Sequence, residues 1–219
     1  MKVIAFDTET TGLTDPIKMI ESAEIGISLE NGVVVCNDLM VRRWCRGKPI
    51  EYAAMAKHYI EDEDVANEIS CDEFKFGDDV EYIVGHNIDY DWKVVGSPDI
   101  RRICTLALAR KLWKGESHKL LSMIYMLERE FAHNNARHAH TAKVDTKMVV
   151  LLLNHIIPKL GVTSFEQLWL ESEKARIPDT MTFGKHKGIL IKDVPKDYVS
   201  WYLKQPNVDE YLVRAFKGE

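Results

Sequence analysis

No apolar run in this sequence comes near the roughly 20 residues that a helix needs to cross a bilayer, so no membrane-spanning role is expected. Cysteine is scarce: Cys36, Cys45, Cys71 and Cys104 stand far apart and form no C-x-x-C pair. That spacing argues against a disulfide scaffold or a zinc site and fits reduced thiols in a cytoplasmic protein. The opening Met1-Lys2-Val3-Ile4-Ala5-Phe6-Asp7 lacks the layout of a signal peptide, because its apolar run breaks at an acid. Internal repeats and low-complexity segments are missing as well, which sets aside solenoids and tethers.

What is present suits a soluble globular chain. Its 219 residues are 46% hydrophobic and 29% charged, enough for one large domain or a domain with a small module. The formal net charge of −5 is uneven: residues 174–219 balance at +3 and residues 1–173 at −8. Residues 61–81 alone hold ten acids and one lysine, and read as a solvated surface. An acidic total does not exclude a polyanionic partner, since the field at the site decides.

The chain opens on Val3-Ile4-Ala5-Phe6, a buried strand that runs into Asp7 and Glu9. Their i, i+2 spacing puts both carboxylates on one face of that strand. Two anions so close repel each other, and a divalent cation bound through oxygen offsets the repulsion most directly. Residues 23–29 and Val33-Val34-Val35, joined by Asn31-Gly32, predict two further antiparallel strands. A short helix is expected over 50–60, a strand at Tyr82-Ile83-Val84, and a helix through Asp91 to Val95. Helical spacing also covers 103–113, 118–131 and 141–157, the last stopped by Pro158. Thr163 or Ser164 can cap one more helix, 171–180 reads as a linker, and a compact tail carries a helix near 196–204.

Two more fragments carry chemistry. Asn87-Ile88-Asp89-Tyr90-Asp91 places Asp91 just after a strand, and His140-Thr141-Ala142-Lys143-Val144-Asp145 places a histidine and an acid within one and a half helical turns. Each fragment alone has a plain reading. The first pair can be solvated strand-end acids, Asp91 a first-turn acid favoured by the helix dipole, and His140 and Asp145 solvated helix residues.

Taken together, in this order and at these distances, D-x-E, N-x-x-[FY]-D and H-x-x-x-x-D resemble the pattern of the DnaQ-like (DEDDh) 3′→5′ exonucleases. The set spans residues 1–157. Ala54-Met55-Ala56-Lys57-His58, the stretch 103–113 and Met181-Thr182-Phe183-Gly184-Lys185-His186-Lys187-Gly188 extend the similarity to nearly the whole chain.

The resemblance implies an α/β, ribonuclease H-like domain over 1–172, with a mixed five-stranded sheet covered by helices. A small basic C-terminal module, 173–219, would follow in a nucleic-acid-binding or docking role. It implies a two-metal phosphodiesterase using Mg²⁺ or Mn²⁺ and releasing nucleoside 5′-monophosphates. Asp7 would bridge both ions, Glu9 and Asp145 would serve the ion of the nucleophilic water, and Asp91 the second. His140 would act as general base, since imidazoles ordinarily titrate near neutrality. His133 and His138 read as exposed bystanders. Thr10 and Leu13 would meet the substrate's 3′ end, Leu13 as a wedge against the terminal base or else as core, and His58 would lie near the substrate. Asp89 departs from the small or polar residue usual at its place. Lys185 and Lys187, within a glycine-bounded turn, would contact phosphates. DNA is the favoured substrate. RNA, or a proofreading or recruitment subunit of a polymerase assembly, is the alternative, with polymerase or repair proteins as partners.

Overall fold

In the computed structural model, which describes residues 2–45, 47–206 and 208–219, the first strand sets the frame. β1 (Lys2–Thr10) alternates cleanly: Val3 and Ala5 pack on one face of the sheet, Ile4 and Phe6 on the other, and all four are buried. That is the pattern of a central strand covered on both sides. β2 (Met19–Glu30) and β3 (Val33–Arg43) follow antiparallel, as expected, through an Asn31-Gly32 turn with both residues at positive φ. β4 (Val80–Gly85) and β5 (Arg101–Cys104) add in parallel on the other side of β1, giving the mixed order β3-β2-β1-β4-β5.

Between β3 and β4 lie α1 (Tyr52–His58) and α2 (Asp62–Val65), anchored by Ile50, Ile60 and Val65 against Ile20. The stretch 61–81 is therefore not the plain solvated surface its composition suggests. Val65 is fully buried, and Phe74 and Phe76 pack their rings on Phe6 beneath the sheet. α3 (Asp89–Val94) follows β4, and α4 (Thr105–Leu112) follows β5. The helix expected over 103–113 thus begins two residues late. Ile103 and Cys104 belong to β5 and pair with Val84 and Gly85, because a short apolar run is ambiguous until a neighbouring strand claims it.

After α5 (Leu120–Leu127) and α6 (Arg129–Asn135) comes α7 (Ala142–Leu160), which lies across β1, β2 and β3 and buries Met148, Val149, Leu152, Leu153 and Ile156. Pro158 does not stop this helix. It sits in the last turn, where it removes one i→i−4 bond, and the helix ends three residues later at Gly161, φ 65°. α8 (Phe165–Arg176) starts at Ser164, whose hydroxyl accepts the Gln167 N–H at 3.2 Å.

The linker expected over 171–180 is, up to Arg176, the end of α8. Most of its polar side chains find partners inside the protein. Ser172 is buried and accepts the Cys104 N–H at 2.8 Å, and the Arg176 side chain is 4% exposed. Beyond it, α9 (Lys196–Tyr202) matches the expected helix, whereas α10 (Glu210–Lys217) has no counterpart in the sequence reading. Met181, Val194, Tyr202 and Leu212 form a small core of their own there. Ion pairs join it to the rest: Arg102 holds Asp89 (2.6 Å) and Glu210 (2.8 Å), and Arg214 holds Glu173 (2.9 Å). Among the described residues no single helix is long and apolar enough to cross a membrane.

Candidate active site

The parity of β1 aims the first two acids. Asp7 and Glu9 continue the row of Val3 and Ala5, the face that packs on α7. Asp145 stands in the first turn of α7, and one carboxylate oxygen from each of Asp7, Glu9 and Asp145 lies within 4.8 Å of the others. Asp91 comes from the first turn of α3 and is buried. One of its oxygens accepts both the N–H (3.0 Å) and the O–H (2.6 Å) of Thr8.

His140 stands just ahead of α7 with its backbone in the left-handed region, φ 66°, and its N–H donates to Asp145 at 3.3 Å. Thr141 fixes this entry: its hydroxyl donates to the His138 carbonyl (2.8 Å) and accepts the Val144 N–H (3.4 Å). The imidazole of His140 thereby lines the same cavity as the acids, while His138 is exposed in the preceding turn.

Burial and mutual repulsion dominate the electrostatics. Burial first, then the charges of Asp91, Asp145 and Glu9, push the Asp7 carboxyl far above the usual range. Glu9 is pushed up to about 9 by burial, then by Asp145 and Glu21. Burial raises Asp91 to about 7 against the pull of the two Thr8 hydrogen bonds, and raises Asp145 against the His140 N–H. Lys57 lowers Glu9 only weakly by comparison. Four carboxylates cannot ionise together here without added positive charge, and an all-oxygen donor set suits a hard divalent cation. The residues present therefore fit such an ion.

The cavity measures about 280 Å³ and is also lined by Thr10, Leu13, Glu51, His58 and Tyr90. Leu13 is 75% exposed at its mouth and is not core. The Thr10 hydroxyl is occupied within the protein, bonded to the Tyr90 hydroxyl (2.8 Å) and the Gly12 carbonyl (3.2 Å). His58 is buried, and its Nδ1 accepts the Ile60 N–H at 3.0 Å, which leaves the proton on Nε2. That Nε2 has no well-formed hydrogen bond, although the Thr10 carbonyl is near enough to offset part of the fall in pKa that burial causes. Lys185 and Lys187 are exposed on the tail and do not line this cavity.

Asp89, the unusual acid beside Asp91, is held by Arg102 at 2.6 Å and Arg176 at 3.5 Å. Three contributors escape a reading of the sequence. Thr8 supports Asp91. Glu21 lies opposite Glu9 across the β1–β2 pair, buried and held by Arg43 at 3.7 Å. Glu51 grips the loop after β1. Only the strand register and the long-range contacts reveal them.

Solved structures share this fold. Exonuclease X in complex with 5′-overhanging duplex DNA is 25% identical, with a TM-score of 0.60 over 76% of this chain and 99% of that one. Sheet order, acidic cluster and likeness point to one class: the chain is similar to the DnaQ-like 3′→5′ exonucleases. Among curated proteins it is similar to exodeoxyribonuclease 10 of Escherichia coli (strain K12), 29% identical over 89% of this chain and 87% of the relative. Escherichia coli exonuclease I with a dT13 oligonucleotide shares the fold at 15% identity, TM-score 0.56, over 81% of this chain and 44% of that one. Residues 174–207 match the family described as "Putative quorum-sensing-regulated virulence factor".

Proposed function

We propose that this exonuclease removes nucleotides from DNA 3′ ends as nucleoside 5′-monophosphates, with Asp7, Glu9, Asp91 and Asp145 holding two Mg²⁺ or Mn²⁺ ions. The observation that carries the reading is the convergence of Asp7, Glu9 and Asp145 oxygens within 4.8 Å in a cavity that His140 also lines. The DNA named for the two relatives similar in sequence supports the choice of substrate. Bound divalent ions would supply the positive charge that offsets the four carboxylates and the charge growing on the phosphodiester.

The chain's own residues do the rest. His140 takes a proton from the attacking water at a ring nitrogen. Its backbone bond to Asp145 keeps base and acid in one register. Thr8 orients Asp91 through two hydrogen bonds. Thr10, Leu13 and His58 form the wall that receives the 3′-terminal nucleotide. The basic stretch 173–219 is assigned to holding the strand, through exposed Lys185 and Lys187 between Gly184 and Gly188, both at positive φ. Free thiols at all four cysteines suit work in the cytoplasm.

The test is degradation of 5′-labelled DNA and RNA of one sequence, with Mg²⁺, with Mn²⁺ and in excess EDTA. Stepwise shortening of DNA from its 3′ end, lost in EDTA and in folded Asp7→Ala, is expected. Undiminished turnover by Asp7→Ala, or faster turnover of RNA, would overturn the reading.

A further inference from the structure

Glu51 has a place that the reaction described so far does not explain. It is one more carboxylate on the wall of a cavity already crowded with acids, where it repels a polyanionic strand. It is also the residue before α1, yet its side chain makes no capping bond to that helix. Instead it reaches across the chain. Its two oxygens accept the N–H groups of Leu13 (3.3 Å) and Thr14 (3.0 Å), one each. Its own N–H donates to the Thr11 carbonyl at 2.8 Å, and nearby Lys48 donates its Nζ to the Thr14 carbonyl at 2.9 Å.

Gly12 completes the fit. Its φ of 140° is poorly accessible to other residues, and a Cβ at this position would fall inside the Glu51 carboxylate. The loop that follows β1 is thus closed around that carboxylate. The residue presented by this loop is Leu13, 75% exposed at the cavity mouth. An exposed leucine on an untied loop would have to be ordered by its ligand, and pre-ordering removes that cost.

We propose that Glu51 is a positioning residue: it clamps the Gly12–Thr14 loop so that Leu13 meets the terminal base of the strand as a fixed apolar shelf. This inference rests on the nucleic-acid reading above. The test is steady-state kinetics on a labelled DNA oligonucleotide with Mg²⁺, with a thermal melt of each protein. Glu51→Ala should raise KM about tenfold, the size of one misplaced apolar contact in a binding pocket, with a smaller change in kcat. Glu51→Gln keeps a carbonyl acceptor for one of the two N–H groups and should recover part of the affinity. Gly12→Ala should copy Glu51→Ala, and Glu51→Ala should add little in a Leu13→Ala background. Equal shifts for Glu51→Ala and Glu51→Gln, or additive effects of Glu51→Ala and Leu13→Ala, would overturn the clamp. So would an unchanged KM in a less stable Glu51→Ala. Wild-type protein inactive on every polynucleotide would remove the functional reading and the clamp together, whereas an active wild type with indifferent variants removes the clamp alone.

Discussion

Asp91 gives the most demanding test of the site. Its side chain is 4% exposed, and burial raises its pKa from 3.8 to about 7 in the folded protein. Between those two pH values the folded protein keeps a proton that the unfolded chain has released. The folded state then binds more protons, so stability must fall as pH rises through this window. At about 1.36 kcal/mol per pH unit, the swing from Asp91 alone is roughly 4 kcal/mol. Asp7, Glu9 and Asp145 shift in the same direction, and Glu9 extends the decline to about pH 9.

Asp91→Asn isolates the effect, because the amide retains an oxygen for the Thr8 N–H and O–H but does not titrate. In EDTA the variant should match wild type below pH 4 and exceed it near pH 8 by up to roughly 4 kcal/mol. Urea unfolding followed by circular dichroism across this range measures both proteins. Mg²⁺ should reverse their order at pH 8, since ligand binding stabilises wild type by RT ln(1 + [L]/Kd) and the variant has lost a ligand. Wild-type stability that stays level or rises from pH 5 to pH 8 in EDTA would refute the reasoning, as would an Asn variant no more stable than wild type.

Two further outcomes are expected. His140→Ala should lower kcat by about 10²–10⁴-fold with Mn²⁺ affinity nearly unchanged, whereas His138→Ala should have little effect; the reverse order would mean that the wrong histidine carries the proton. Lys185→Ala with Lys187→Ala should raise KM for DNA and flatten its salt dependence by about one unit of slope per lost phosphate contact. An unchanged slope in the folded double variant would leave the tail without a role in holding the strand.

Much of this was legible because local pattern and fold agree. Val3 and Ala5 share parity with Asp7 and Glu9, so the strand that gives the core one face also delivers both acids to it. Ser164, one of the two residues expected to cap a helix, caps α8. What stayed hidden depends on distant partners. Nothing local says that β2 sets Glu21 opposite Glu9, that Glu51 fills the space over Gly12, or that β4 claims Ile103 and Cys104. The polar end of α8 resembles a linker because the groups that satisfy Ser172 and Arg176 lie 68 and up to 87 residues away in sequence, at Cys104 and Asp89.

The Arg176 guanidinium also governs how the chain comes apart. It bonds to the Arg102 carbonyl of β5 (3.1 Å), lies 3.5 Å from Asp89 of α3, and bonds to the Tyr211 hydroxyl of α10. Tyr211 in turn donates to Glu173 at 2.9 Å, which Arg214 also holds. If the tail lifted off alone, it would strip partners from Arg176, Arg102 and Glu173 in one event, and a buried charge stripped of its partner is costly. Peeling the tail and opening the sheet edge are therefore tied into one cooperative unit. The amides of α10 and of the last turn of α8 should exchange with deuterium at a common rate.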